Sequence, residues 1–177
     1  MGINNPSQAA GGWTLLHDET LVVDGKFDVQ NLPNSHDHLF IYLLARGNVV
    51  ATNDNLRVIL NNDTTAANYR RAYHQVNNAV HAVGQDDAIL EAGVPAGSSP
   101  ANYFGMCEIR VWFYTVAQNK MYDAISNGRM STTISLTSIQ VGQWENIAPV
   151  NRVTIQTDND PTDLILAGSR LQIWGIN

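Results

Sequence analysis

Two short stretches of this sequence hold side chains at spacings that metal chemistry uses. His36-Asp37-His38 places two imidazoles two residues apart, so on a strand both point to one side and can share an ion. No third ligand accompanies them, and a structural zinc site takes four, so the favoured reading is a loop entering a strand. Residues 158–163, Asp-Asn-Asp-Pro-Thr-Asp, supply three carboxylates in a turn, the oxygen chemistry that calcium prefers. The stretch lacks the glycine and the glutamate of an EF-hand loop, and Asp and Asn form turns without any ion.

Nucleophiles are no better supported. Cys107 alternates with apolar residues, as a buried and inert thiol does. Ser169 follows Gly168, but no second glycine stands two residues on, so the nucleophile-elbow pattern fails. A glycosidase needs two carboxylates at a set separation, which linear order does not supply. No motif with a mechanism, no cofactor fingerprint and no complete metal set is present. The expectation is a protein that is not an enzyme and that uses no metal or cofactor.

Composition narrows the partners. Ten basic and sixteen acidic residues give a net charge of −6, the wrong sign for a surface that displaces counterions from nucleic acid. No run of eighteen apolar residues exists, so no membrane-spanning helix is expected. Met1-Gly2-Ile3-Asn4 has neither the charged nor the apolar region of a secretory signal, and Pro6 stands where a myristoylation signal wants Ser or Thr. A single cysteine excludes an internal disulfide. Only 15% of residues are charged while 44% are apolar, which favours sheets and packed interfaces over solvated helices.

The elements that would position these side chains read as strands. Residues 1–12, with Ile3, Asn4, Asn5, Pro6 and the pair Gly11-Gly12, form a short flexible arm, and residues 13–177 one domain. Short apolar runs at 13–16 and 20–23 open the domain. In residues 38–46, Leu39, Ile41, Leu43 and Ala45 fall on one face, and Phe40, Tyr42 and Leu44 on the other. Two apolar faces imply burial on both sides, one against the core and one against another element or subunit. Residues 55–61 place Leu56, Val58 and Leu60 inward.

Residues 68–83 carry two signals. Tyr69, Ala72, Tyr73, Val76, Ala79, Val80 and Val83 recur at helical spacing. Asn77-Asn78 and the flanking strands favour a bent strand or a hairpin. Residues 85–100, with Gly93, Pro95, Gly97 and Pro100, are expected to be a long surface loop. Residues 105–115 alternate cleanly, with Cys107, Ile109, Val111 and Phe113 predicted inward. The opposite face holds Glu108, Arg110, Trp112 and Tyr114, a mixture of aromatics and both charges typical of an interface. Further short strands are predicted at 121–125, 131–136, 139–144 and 151–157, broken at Asn127-Gly128 and Gly142. The closing strand, residues 168–177, puts Leu171 and Ile173 on one face and Gln172 and Trp174 on the other.

The last third of the chain carries a resemblance. Trp144-Glu-Asn-Ile-Ala148, Val153-Thr-Ile155 and Gly168-Ser-Arg-Leu-Gln-Ile-Trp-Gly-Ile176 resemble the ending of small jelly-roll virion proteins of tailed bacteriophages. Leu32-Pro33, His38-Leu39, Ala45-Arg46, Leu60-Asn-Asn-Asp-Thr64 and Asn68-Tyr69 are similar to the same family. Trp174 stands where a Tyr is more usual. The resemblance implies an all-β fold, a jelly-roll β-sandwich of two antiparallel sheets, assembled as a homotrimer on the virion and made in the host bacterial cytoplasm. It also favours strand over helix for residues 68–83.

Two roles follow from it: a capsid decoration (cement) protein stabilising contacts between major capsid subunits, or the receptor- or carbohydrate-binding head of a tail or head fibre. With no coiled-coil or collagen-like shaft in the sequence, the first is expected, on the outer capsid surface. Its partners would be further copies of itself and the major capsid protein; a host surface glycan belongs to the second role, with Tyr103-Phe104 as the visible platform. Phe40, Tyr42, Trp112 and Tyr114 are the expected subunit interface. Ile3, Asn4, Asn5 and Pro6 are the expected capsid contact.

Overall fold

The structure, a computed structural model, describes residues 12–78 and 80–177. The arm residues Ile3, Asn4, Asn5 and Pro6 lie outside the described residues. Among the described residues twelve strands follow in order: β1 (Trp13–Thr20), β2 (Phe27–Gln30), β3 (His38–Ala45), β4 (Asn53–Leu60), β5 (Tyr69–Asn77), β6 (Val80–Asp86), β7 (Leu90–Pro95), β8 (Gly105–Trp112), β9 (Lys120–Arg129), β10 (Ser135–Trp144), β11 (Arg152–Thr157) and β12 (Arg170–Ile176). They build two antiparallel sheets, ordered β1-β12-β3-β8-β9-β10-β5-β6 and β2-β11-β4-β7.

Eight of the strands form a jelly roll. Sheets β1-β12-β3-β8 and β2-β11-β4-β7 face one another, and the chain crosses between them in two Greek keys. The hairpins β5–β6 and β9–β10 are inserted after β4 and after β8. Both hairpins add to the same sheet, which therefore reaches eight strands against four.

Period-two patterning explains which side chains meet in the middle. Leu39, Ile41 and Leu43 of β3, Cys107 and Ile109 of β8, and Leu171 and Ile173 of β12 are fully buried from one side. Phe27, Leu56, Val153 and Ile155 are fully buried from the other. Each such aliphatic or aromatic side chain contributes about 1.5–3 kcal/mol by leaving water. The inward assignments for β3, β4 and β12 match the sequence pattern.

Of the two readings of residues 68–83, the hairpin is the one found: Asn78, at φ 56°, turns the chain, and Asn77 pairs with Val80. The apparent 3.6-residue period joined two shorter two-residue periods across that turn. Three other expectations are corrected. The expected surface loop at 85–100 contains β7, whose Ala92 and Val94 are buried. Gly93 there serves close approach, since a Cβ on it would lie 2.7 Å from Leu136 Cδ2. β9 runs through Asn127-Gly128 and β10 through Gly142 without a break. The first strand ends at Thr20, leaving Val22 and Val23 exposed in the bend that follows.

Gly142 is a second position where only the missing side chain fits. A Cβ would stand 2.1 Å from the Arg70 carbonyl oxygen and 2.6 Å from the Tyr122 ring. Gly142→Ala is expected to destabilise the fold by about 1–3 kcal/mol through overpacking, read as a lower urea midpoint. Gly25→Ala, where a Cβ meets nothing within 4 Å, is expected to change stability by less than about 0.5 kcal/mol.

Candidate assembly face

The surface that departs furthest from an ordinary solvated sheet is the outer face of the eight-stranded sheet. Its composition follows from register. Trp174 of β12 pairs with Leu15 of β1 and Phe40 of β3. Further along, Glu108 of β8 pairs with Ile125 of β9, Ile125 with Ile139 of β10, and Ile139 with His74 of β5. Trp112 pairs with Met121, and Val141 with Ala72. Trp13 is 55% exposed, Met121 49%, Ile139 47% and Val141 52%, so apolar side chains stand uncovered on several strands, with the Arg110–Asp123 pair between Phe40 and Val141 in one cross-strand row. Single exposed apolar residues are ordinary, but contiguous ones mark interaction surfaces.

Aromatic contacts give one end of this face a fixed shape. Trp13 meets Phe40 edge-on at 4.8 Å between ring centroids and Trp174 at 6.4 Å. His38 meets Trp112 at 4.9 Å and Phe113 at 4.7 Å. Such edge-to-face pairs favour these orientations by about 0.5–1.5 kcal/mol beyond burial.

Three arginines of the face are engaged with carboxylates, while Arg129 donates to the Ser131 and Thr132 carbonyls. Arg170 holds Asp18 at 2.6 Å, and this hydrogen-bonded guanidinium keeps the Asp18 carboxyl down at about 2. Arg110 pairs with Asp123 at 2.9 Å, and Asp123 also accepts the Trp112 indole N–H at 2.6 Å. Arg70 bridges Glu145 and Asp87.

The expected interface residues divide. Phe40, Tyr42 and Trp112 do lie on this outer face, half-buried by their neighbours. Tyr114 does not: it is fully buried, with its hydroxyl donating to the Pro33 carbonyl. The cause is Phe113, at φ 52°, a left-handed conformation that ends the alternation of β8. Phe113 itself is turned out, 46% exposed, reversing the predicted inward assignment. An intersubunit role for Tyr114 therefore has no surface to act through.

Sequence reasoning missed Trp13, Ile139 and Val141. In β10 the inward residues are Ser138 and Gln140, 4% and 6% exposed, while Ile139 and Val141 point outward. The polar pair is inward because it faces the free edge of β7. Gln140 Nε2 donates to the Glu91 carbonyl at 2.7 Å, and its Oε1 accepts the Glu91 N–H at 3.2 Å. Ser126 Oγ accepts the Gly93 N–H at 3.3 Å. Alternation alone does not say which set is inside.

The residues first considered for metal chemistry are otherwise engaged. His38 Nδ1 accepts the Phe113 N–H at 3.0 Å, and the His36 ring fills the space beside Gly175. Among the described residues, no three His, Cys, Asp or Glu side chains converge as metal ligands. Within residues 158–163, Asp158 pairs with Arg57 at 2.7 Å, and Asp160 with Lys26 at 2.8 Å. Asp163 accepts from Asn159 at 3.0 Å. Cys107 is wholly buried, which pushes its thiol far above the ordinary range, away from nucleophilic use. Tyr103, half-buried, lies under the Arg129 guanidinium at 5.6 Å.

No protein-family model matches this chain, and neither the curated proteins nor the solved structures contain a match to it.

Asp54 is the one carboxyl here pushed upward, to about 6, chiefly by burial and further by the charges of Asp158 and Asp163. Its Oδ1 accepts the Asn55 N–H at 2.8 Å, while Oδ2 is buried without a partner. A carboxyl raised in the folded state gives stability that is complete below its ordinary value of 3.8 and lost as pH rises through about 6. Asp54→Asn is expected to stabilise the protein by about 1–2 kcal/mol near neutral pH, after discounting for partial exposure. The gain should vanish towards pH 4, as measured by urea unfolding across that range.

Proposed function

We propose that this chain is a structural, non-enzymatic virion module, a capsid decoration protein that assembles as a homotrimer and clamps neighbouring major capsid subunits. The observation that carries the proposal is the exposed apolar residues on the outer face of the eight-stranded sheet, with Arg170, Arg110 and Arg70 neutralised within the same chain. A jelly roll hosts many roles, so the fold alone selects none of them. What supports a role in assembly is a broad, shaped surface whose charges are largely paired within the chain, and what adds to it is the resemblance of the chain's short motifs to phage virion proteins.

In the proposed mechanism, three copies close around a rotation axis and bury their outer faces together, centred on Phe40, Tyr42, Trp112 and the Ile139–Val141 pair. Closure matters because an apolar face that did not close would propagate into fibres. Residues 1–12, led by Ile3, Asn4, Asn5 and Pro6, serve as the contact to the shell. Three weak arm contacts on one trimer then act together by avidity.

A second reading, the receptor-binding head of a fibre, is favoured by one specific observation. Trp13 and Phe113 expose 55% and 46% of their surface at the aromatic end of the sheet, as a sugar-stacking platform does.

Ile139→Lys and Val141→Lys place charges on residues that are half-exposed in the single chain, so the fold tolerates them. Each is expected to abolish the threefold particle mass by light scattering; a threefold mass that persists in both variants would refute the outer-face assembly. Deleting residues 1–12 is expected to leave the oligomer intact and to weaken binding to purified capsid shells at least tenfold. Unchanged shell binding would remove the arm's role, and binding to host-cell glycans in place of shells would favour the fibre-head reading.

A further inference from the structure

The four edges of the two sheets are not treated alike. A sheet edge carries unpaired N–H and C=O groups, and proteins that remain unpaired there protect it with charge, shortness, bulges or cover. β1 has a bulge between Leu15 and His17 and carries Asp18 and Glu19. β2 is four residues long and contains Asp28, held by Arg152. β7 has its free edge capped by Gln140 and Ser126. β6 has none of these devices. Its seven residues, Val-His-Ala-Val-Gly-Gln-Asp, are all exposed, because the hairpin overhangs the four-stranded sheet. It pairs with β5 in unbroken register, and it contains no Lys, Arg or Pro. Its one charge, Asp86, is held by Arg71 at 2.7 Å.

We propose that β6 is a docking edge for the β6 strand of a second copy of this chain, paired antiparallel about a two-fold axis beside Val83. The hairpin closes with Asn77 paired to Val80, so alternate residues along β6 turn their backbone groups to the open side. These are His81, Val83 and Gln85. Pairing two such edges symmetrically sets Val83 against Val83 and His81 against Gln85, and forms about six backbone hydrogen bonds. No like charges oppose one another: Asp86 comes to lie opposite Val80. Pairing β6 with a partner's β1 instead would meet the bulge and the Asp18-Glu19 charges. The symmetric pair is therefore the favoured occupant, and it makes one continuous sheet from two molecules. The contact is separate from the outer face and does not depend on the virion role. Where both operate, two-fold β6 contacts link oligomers built through the outer face.

Val83→Pro tests this directly. It removes an N–H that points to the open edge and leaves the β5 ladder, the placement at which a strand tolerates proline. Analytical ultracentrifugation of the full chain over a concentration series is expected to show the particle mass doubling reversibly in the wild type. In Val83→Pro, the dissociation constant for that doubling is expected to rise at least tenfold with an unchanged far-UV spectrum. Hydrogen exchange gives a second readout independent of the variant. The amides of His81, Val83 and Gln85 are expected to gain protection with concentration, while those of Ala82 and Gly84, bonded to β5, do not change. Val141→Lys should leave the doubling intact. Absence of doubling at any concentration overturns the proposal. So does a doubling abolished by Val141→Lys but not by Val83→Pro, or concentration-independent exchange at all three outward amides.

Discussion

A sheet of eight strands faces a sheet of four, and the contact that closes this mismatch organises the rest of the molecule. β7 is the last strand of the narrow sheet, and its open edge runs beneath the inner face of β9 and β10. Gln140 and Ser126 satisfy that edge from above, giving the Glu91 and Gly93 backbone groups partners that no strand supplies. A buried peptide group left unpaired costs about 1–3 kcal/mol, so a polar residue at these inward positions is worth more than an apolar one. Once Ser138 and Gln140 are committed inward, period two sends Ile139 and Val141 outward. The apolar outer surface of β10 is thus a consequence of how the second sheet's edge is sealed. The same mismatch leaves β6 with no layer beneath it, all seven of its residues exposed.

How much of this the sequence reveals depends on whether a strand's two sides differ. In β3, β8 and β12 the inward set is almost wholly aliphatic, and alternation assigns it correctly from the residues alone. In β10 each side mixes polar and apolar types, so the pattern gives the strand but not its orientation. That depends on the neighbouring edge of β7, some fifty residues away in sequence. Glycine misleads in a related manner. Gly93 and Gly142 read as turn residues yet sit inside strands, where a leucine methyl and a tyrosine ring press against them. Close approach between distant segments leaves no local signature.

The candidate face was partly legible for the same reason. Phe40, Tyr42 and Trp112 follow from simple alternation along strands of fixed orientation. Tyr114 fails because one backbone angle, at Phe113, reverses the alternation two residues early, and nothing in Trp-Phe-Tyr announces it. The reversal has a local support: His38 accepts the Phe113 N–H and stacks edge-on against its ring. The histidine that suggested metal chemistry is part of the aromatic scaffold at that end of the sheet. Its partner His36 packs where Gly175 has no side chain. Two residues that read as ligands are therefore accounted for by packing.

Electrostatics constrain how such a surface can associate. Copies of a chain carrying −6 repel one another, so association must be driven by something other than net charge. The charges lying on the outer face do little to steer it, because Arg170, Arg110 and Arg70 are each held by carboxylates of their own chain. Neighbouring opposite charges cancel beyond a few ångströms, and solvent salt screens what remains within about 8–10 Å. Encounter is then not accelerated by long-range attraction, and any stable contact rests on apolar area and the shape set by the aromatic pairs. Contacts of this kind owe their affinity to slow dissociation more than to fast association.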